Sequence, residues 1–486
     1  MNLCLINHSY RYELEKLLRI YSPFEKIEYF DCYEISDRTA VAKVKGNIAE
    51  AELYIGGSIF KSSMPLDTNA EDKKKEYELK LALALYECLK QASGYIPQWG
   101  ILTGVRPAKL YSRFVKDYGE SYADEYFKNT FKVNEKKLSL CKETFSLEEG
   151  IVSLSSPNSF SLYISIPFCP TRCSYCSFVS HSVESARKLI PQYVETLCEE
   201  LKLTAKLAFK YNLKLETVYI GGGTPTSISA EEINKIMKTV ECNFDLKNLR
   251  EYTVEAGRPD TITEEKLNVI KNNGATRISI NPQTMNDSVL EAIGRKHTAE
   301  ETKNAFTLAR KAGFTNINMD LIAGLPTDTP ESFENTIKEV LKLDPESVTV
   351  HSLSMKRSSE LNVKGLFPET EIGEIASTMV DYAHDKLAEN RIVPYYMYRQ
   401  SKTVGNLENV GYAKKGNECL YNVYIMDETH TILACGASAV TKLREPDGDY
   451  IERIFNYKYP YEYIDHFDEI ISRKKAITEF YDKFSW

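Results

Sequence analysis

At 486 residues, with 43% hydrophobic and 27% charged residues, the chain has apolar material for two or three folded domains and the balance of an ordinary globular protein. A net charge of −8 argues against a general nucleic-acid binder, whose footprint is basic. Eleven cysteines, an odd number and mostly scattered, argue against a disulfide scaffold and fit a reducing compartment.

The opening M-N-L-C-L-I-N-H-S-Y lacks the basic start and long apolar run of an export signal. The most apolar helical stretch, Leu79–Leu89, is too short and too charged to cross a bilayer, so a cytoplasmic protein without a membrane span is expected. Residues 2 to about 61 read as strand Asn2–Ile6, helix Tyr12–Tyr21 and strands Ile27–Glu34, Ala40–Lys45 and Ala51–Ile55, separated by turn residues such as Gly46-Asn47 and Gly56-Gly57. An amphipathic helix follows over Glu71–Ser93, then the Gly- and Pro-rich I-P-Q-W-G-I-L-T-G-V-R-P-A-K-L, then helices at Ser121–Phe131 and Glu135–Ser146. Cys4, Cys32, Cys88, Cys141, Cys198 and Cys242 lie in apolar or helical patterns and are expected to be buried thiols.

From Leu162 strands and helices alternate. Strands are expected at Leu162–Ile166, Thr217–Ile220, Tyr252–Glu255, Arg277–Ile280, Asn316–Ile322 and Ser347–His351. The helices between and after them are Ala186–Lys210, Ala230–Val240, Glu264–Asn272, Ala299–Ala312, Pro330–Leu343 and Ile372–Asn390. Six βα units imply a parallel sheet with right-handed crossovers, as a partial barrel or an open doubly wound sheet. The expected division is an N-terminal α/β domain with a helical connector (1–155), the parallel β/α domain (156–394) and a C-terminal α+β element (395–486).

Chemistry in such folds gathers at the C-terminal ends of the strands. The first strand runs into I-P-F-C-P-T-R-C-S-Y-C-S-F, with Cys169, Cys173 and Cys176 spaced C-x3-C-x2-C. Structural zinc and electron-transfer clusters normally take four protein ligands, so three thiolates point to a cluster with one iron left open, the alternative being thiols clustered by chance. Strand two ends in Gly221-Gly222-Gly223-Thr224-Pro225-Thr226, either a backbone cradle for a ligand or a tight turn. Strand three ends at Glu255, able to hold an ammonium group or a ribose hydroxyl, or else a surface salt bridge; Ala256-Gly257-Arg258-Pro259 follows. Strand four leads to Asn281-Pro282-Gln283 and on to Arg295, and strand five carries Asp320, which needs a ligand or a buried partner, Arg295 or Arg277. His351 ends strand six, as an acid–base group or a packed core residue.

These residues resemble the radical S-adenosylmethionine (SAM) enzymes, whose signature is the C-x3-C-x2-C loop with an aromatic residue, here Tyr175, between the last two cysteines. The I-P-F-C, G-G-G-T-P-T, G-R-K-H-T and D-L-I-A-G-L-P stretches are similar to the oxygen-independent coproporphyrinogen III oxidase-like branch. W-G-I-L-T-G-V-R-P-A-K and H-S-L-S-M-K-R-S-S look most like its long coproporphyrinogen dehydrogenase type. The resemblance implies a partial (β/α)6 barrel and a [4Fe–4S] cluster on Cys169, Cys173 and Cys176, whose open iron chelates SAM and whose electron cleaves it to a 5′-deoxyadenosyl radical. It implies SAM contacts at Tyr163, Gly222 and Glu255, and a second SAM or its region at Tyr175, Gly223, Thr224, Gln283, Arg295 and Asp320. Tyr175 and, from its place at the end of strand six, His351 are the catalytic candidates.

The reaction implied is oxidative decarboxylation of two propionates of coproporphyrinogen III to vinyl groups, with an external flavodoxin- or ferredoxin-type electron donor. Arg258, Arg295, Arg357 and Arg399 are candidates to hold the carboxylates, and the C-terminal element is expected to cover the substrate. Two departures stand out: Phe178 replaces a cysteine of the oxidase, a form shared with haem-trafficking relatives, and Ser165 replaces a common histidine. A haem chaperone and a haem-directed radical SAM methyltransferase are the competing readings.

Overall fold

The computed structural model describes residues 1–104, 106–176, 180–354, 368–400 and 402–484. They form two compact units. Met1–Lys142, Ser352–Asp381 and Tyr398–Asn409 make the first, and Glu143–His351, Tyr382–Met397 and Val410–Trp486 the second.

In the first unit, β1 (Asn2–Ile6), α1 (Tyr12–Tyr21), β2 (Glu28–Phe30), β3 (Arg38–Lys45), β4 (Ile48–Ile55) and β5 (Ser58–Pro65) build a five-stranded sheet of order β2-β1-β3-β4-β5. The β3–β4 and β4–β5 pairs are antiparallel hairpins whose tight turns use Gly46, Gly56 and Gly57 at positive φ. The third hairpin strand, β5, was not expected, because its Ser62-Ser63 centre breaks the apolar alternation. Helix α2 (Lys73–Ser93), capped by the Asp72 side chain and ended by Gly94 at φ 72°, buries Leu81, Leu85 and Leu89 against Leu3, Ala40, Ala42 and Leu53. Each such leucine contributes about 1.5–3 kcal/mol.

A further helix, Pro107–Tyr118, begins inside the Gly- and Pro-rich stretch, where none was expected. Pro107 occupies the first turn, where no backbone donor is needed, so it starts the helix rather than breaking it. The same unit holds a buried ionic cluster: Lys137 donates to Glu408 at 2.6 Å and Asp381 at 3.0 Å, and Trp99 Nε1 donates to Glu408 at 2.6 Å.

The second unit is dominated by β6 (Ser159–Ile166), β7 (Lys214–Gly222), β8 (Glu251–Gly257), β9 (Arg277–Ile280), β10 (Ile317–Ala323) and β11 (Ser347–Ser352), adjacent in chain order. Pairings β6–β7, β7–β8, β8–β9 and β9–β10 are parallel. Crossovers are α3 (Ile190–Lys210), α4 (Ala230–Asn243), α5 (Glu264–Asn272), α6 (Ala299–Lys311) and α7 (Pro330–Leu343). The order never reverses, as it would at the switch point of a doubly wound sheet, so the wall is that of a partial barrel. Ser229 with Glu232 and Thr298 with Glu301 form capping boxes, and Thr263 and Thr329 cap two more helices.

The sheet continues past these six strands. Beyond β11 lie β13 (Glu408–Ala413), antiparallel to it, and then β12 (Val393–Arg399). At the other edge β14 (Thr431–Cys435) pairs parallel with β6 and carries the antiparallel β15 (Val440–Arg444) and β16 (Ile451–Phe455). A further parallel strand thus comes from the C-terminal element, a long-range pairing that local periodicity does not reveal. Of the six cysteines expected to be buried, Cys32 and Cys242 are exposed; the first lies in a turn region and the second on the outer face of α4.

Candidate functional site

Alternation in β6–β10 places Leu162, Ile164, Val218, Ile220, Val254, Ile278 and Met319 in the hydrophobic core, while the residues between them are polar or aromatic. Register lines the latter up in layers. Tyr163 pairs with Tyr219, Tyr219 with Thr253, and Thr253 with Arg277; in the next layer Ser165 pairs with Gly221, Glu255 with Ser279, and Ser279 with Asn318. Gly221 makes room for a carboxylate, since a Cβ there would lie 3.0 Å from Glu255 Oε2.

Glu255 accepts a hydrogen bond from the Tyr219 hydroxyl, and burial pushes its carboxyl up to about 7. Thr253 Oγ1, Ser279 Oγ, Asn281 Oδ1, Gln283 Oε1 and Arg277 Nε are buried without a partner among the described residues. Each such atom costs about 1–3 kcal/mol if nothing binds it.

The cysteine loop sits at the ends of β6 and β7. Gly223 N donates to Ile166 O and Thr224 N to Phe168 O, both at 2.8 Å. A Cβ on Gly223 would meet Phe168 O at 2.6 Å and Cys169 Sγ at 3.0 Å, so only glycine fits; Gly222 has φ 112°. The Thr224 hydroxyl lies 3.5 Å from Cys169 Sγ. On the far side Ser174 N donates to Ile293 O at 3.1 Å, tying the loop to the segment that carries Arg295. Cys173 is buried, and Cys169 and Cys176 are half-buried.

Residues 163–340 match the radical SAM superfamily. The chain is 38% identical over 422 residues to the oxygen-independent coproporphyrinogen-III oxidase-like protein HemZ of Bacillus subtilis, covering 86% of this chain and 84% of that one. It is 31% identical over 310 residues to the heme chaperone HemW of Haemophilus influenzae, covering 63% of this chain and 75% of that one. The chain belongs to the oxygen-independent coproporphyrinogen-III oxidase-like family of radical SAM proteins. In fold it is also similar to the solved coproporphyrinogen III oxidase HemN of Escherichia coli, with TM-score 0.49, 23% identity, and 67% and 73% of the two chains covered.

The cofactors of a radical SAM protein are a [4Fe–4S] cluster and SAM, and this site fits both. Three thiols on one loop, a glycine cradle touching one of them, and unspent polar atoms on β8, β9 and the segment after β9 suit a cluster with a polar ligand. Among the described residues no three His, Cys, Asp or Glu groups converge on a single ion. A cubane does not require that, because each thiolate takes a different iron.

The residues expected in the site fall out as follows. Tyr163, Gly222, Gly223, Thr224 and Glu255 come together around the ends of β6–β8. Gln283 holds φ 70° in a bridge to Leu321, with its side-chain oxygen buried and unpartnered, a strained and unspent group. Tyr175 is bound by Arg295, whose Nη2 donates to its hydroxyl at 2.9 Å while Nη1 donates to Asn281 O at 2.8 Å.

Among the described residues Asp320 pairs with neither Arg295 nor Arg277, the arginines offered as the alternative to a ligand. Asn318 Nδ2 donates to Asp320 at 2.7 Å and His351 Nε2 lies 3.9 Å away, together holding its carboxyl below the usual range against the desolvation of burial. His351 is therefore neither a core residue nor isolated, but the partner of Asp320.

The arginines differ too. Arg258 is saturated by Asp260 and neighbours of the cysteine loop, and Arg295 by Tyr175 and Asn281. Arg399, in the first unit, lies over Trp99 and donates Nη1 to Leu102 O at 2.7 Å, while its buried Nε and Nη2 have no partner among the described residues. Arg357 and Phe178 lie outside the described residues.

Tyr421 and Tyr219 were not anticipated. Tyr421 stands in the first turn of α8 (Leu420–Asp427), whose leading amides donate to Glu251, at 2.6 Å for Leu420 N and 3.3 Å for Tyr421 N. Its ring stacks on Tyr219 (4.5 Å) and Tyr163 (6.0 Å). Tyrosines are numerous in this chain, so abundance hid these two. Among the described residues no helix is long and apolar enough to cross a membrane.

Proposed function

We propose that this protein is an anaerobic tetrapyrrole-modifying enzyme that removes two propionate carboxylates of coproporphyrinogen III, leaving vinyl groups and giving protoporphyrinogen IX. When bound and reduced, the cluster and SAM supply the hydrogen-abstracting radical. The chain's own part is to bind, orient and shield. Tyr163 and Gly222 offer a ring face and open backbone at the end of β6–β7, and Glu255 offers a carboxylate to an ammonium group once it gives up its proton. Gln283, Arg295 and Asp320, with Tyr175 and His351 against two of them, frame the other side of the strand ends. Polar groups fixed in place before the ligand arrives lose little on binding it, which is the condition for precise hydrogen abstraction.

The observation that carries the reading is Gln283, at φ 70° with its backbone N bonded to Asp320 O and a buried amide oxygen that has no partner among the described residues. Reducing equivalents are expected from a flavodoxin- or ferredoxin-type protein. The test is anaerobic incubation of reconstituted protein with reductant and SAM, following 5′-deoxyadenosine. The reading expects its formation to be stimulated by coproporphyrinogen III and abolished by Gln283→Ala.

A haem chaperone is the second reading, favoured by the 31% identity to a heme chaperone over 75% of that relative. It expects tight haem binding and SAM cleavage indifferent to coproporphyrinogen. A haem-directed methyltransferase would instead return a methylated linear tetrapyrrole.

A further inference from the structure

Arg258, expected to reach for a substrate carboxylate, is spent on the cysteine loop instead. It is 3% exposed, and its guanidinium makes a two-pronged contact with Asp260, Nε to Oδ1 at 2.9 Å and Nη2 to Oδ2 at 2.8 Å. The remaining nitrogen, Nη1, donates to the Thr171 hydroxyl at 2.9 Å and points at Cys173 Sγ from 3.8 Å. The buried Arg295 guanidinium also interacts electrostatically with Cys173, alongside its bonds to Tyr175. Cys169, by contrast, is given a neutral hydroxyl, that of Thr224. These two thiols are therefore served unequally: Cys173 faces buried positive charge and Cys169 a neutral hydroxyl. His297, whose Nδ1 lies 4.0 Å from Asp260, is held neutral by burial and adds no charge of its own.

We propose that Arg258, oriented by Asp260, is a positioning residue that sets the reduction potential of the cluster through Cys173. The proposal rests on the cluster reading above and deepens it. Reduction adds one electron to a thiolate-bound cluster, and a cation donating to a ligating sulfur stabilises the more electron-rich state. The alternative is a purely mechanical clamp, for which the bonds to Asp260 and Thr171 would suffice. The two differ in sign. If charge matters, Arg258→Gln makes the cluster harder to reduce. Asp260→Asn removes the carboxylate that offsets the guanidinium, so it makes reduction easier. A clamp predicts no such opposition.

The experiment is a spectroelectrochemical titration of the reconstituted full-length protein, following visible absorbance and the electron paramagnetic resonance of the reduced cluster. It compares wild type with Arg258→Gln, Arg258→Lys and Asp260→Asn. The expected result is a reduction equilibrium about tenfold less favourable in Arg258→Gln, about 59 mV more negative for one electron, with Arg258→Lys between and Asp260→Asn shifted to more positive potential. If Arg258→Gln takes up no cluster, Arg258→Lys and Asp260→Asn decide by the opposite signs of their shifts. Midpoints equal to wild type, or shifts of the same sign in the arginine and aspartate variants, overturn the proposal. Wild-type protein that takes up no cluster is a different result, and it would sink the cluster reading itself.

Discussion

Gly223 and Cys169 are in contact so close that a Cβ on the glycine would stand 3.0 Å from the sulfur and 2.6 Å from the preceding carbonyl oxygen. The turn after β7 and the cysteine loop therefore share one space, and the glycine belongs to the cluster site rather than to a generic turn. Gly223→Ala is expected to leave the protein folded by circular dichroism while cutting the visible absorbance of the reconstituted cluster severalfold. Full cluster absorbance in that variant would show the contact to be dispensable.

Glu255 gives the site a pH dependence. Burial raises its carboxyl to about 7, so near neutrality the ligand-free protein is a mixture of both forms. A cationic ligand requires the carboxylate. Affinity for SAM, measured calorimetrically on the reconstituted protein, should therefore rise with pH up to about 7, by at most about tenfold per unit, and then level. Stability runs the other way. A carboxyl raised in the folded state favours the fold at pH below its unfolded value, and this contribution is lost as pH climbs through 7. Glu255→Gln should flatten both profiles, and an unchanged SAM profile would remove Glu255 from the role.

Tyr421 tests whether the C-terminal element completes the second unit's core. Tyr421→Ala empties one side of a three-ring stack and should cost about 3–5 kcal/mol in denaturant unfolding, whereas Tyr421→Phe keeps the stack and should cost less than about 1.5 kcal/mol. Equal losses in the two variants would assign the effect to the hydroxyl rather than to packing.

In the first unit, Lys137 is 2% exposed and bridges two carboxylates, one of them, Glu408, fully buried. Lys137→Met leaves that charge without a counterpart and should destabilise by about 3–5 kcal/mol. Adding Glu408→Gln should restore part of the loss; a double variant as unstable as the two losses summed would mean that the pair is not coupled.

Much of the second unit was legible because its strands are short apolar runs bounded by marked helices. The extents of Glu264–Asn272 and Pro330–Leu343 are fixed by Thr263 and Thr329 as caps, which a sequence reader can see. Pairings across long separations were not legible. The strand Thr431–Cys435 joins β6 from the far end of the chain, and Tyr421 reaches its two ring partners the same way. Asp320 and Arg258 show a subtler limit. Burial of Asp320 was foreseeable from its apolar strand, but the choice of His351 over an arginine, or of Asp260 over a substrate for Arg258, depends on distances of a few ångströms between strand ends.

The measurement that bears most directly on the proposed activity is the mass of the tetrapyrrole recovered after anaerobic turnover with reductant, SAM and coproporphyrinogen III. Loss of two propionate carboxyl groups as carbon dioxide, with two vinyl groups formed, is the predicted result. Intact coproporphyrinogen recovered from protein that holds its cluster and cleaves SAM would contradict it.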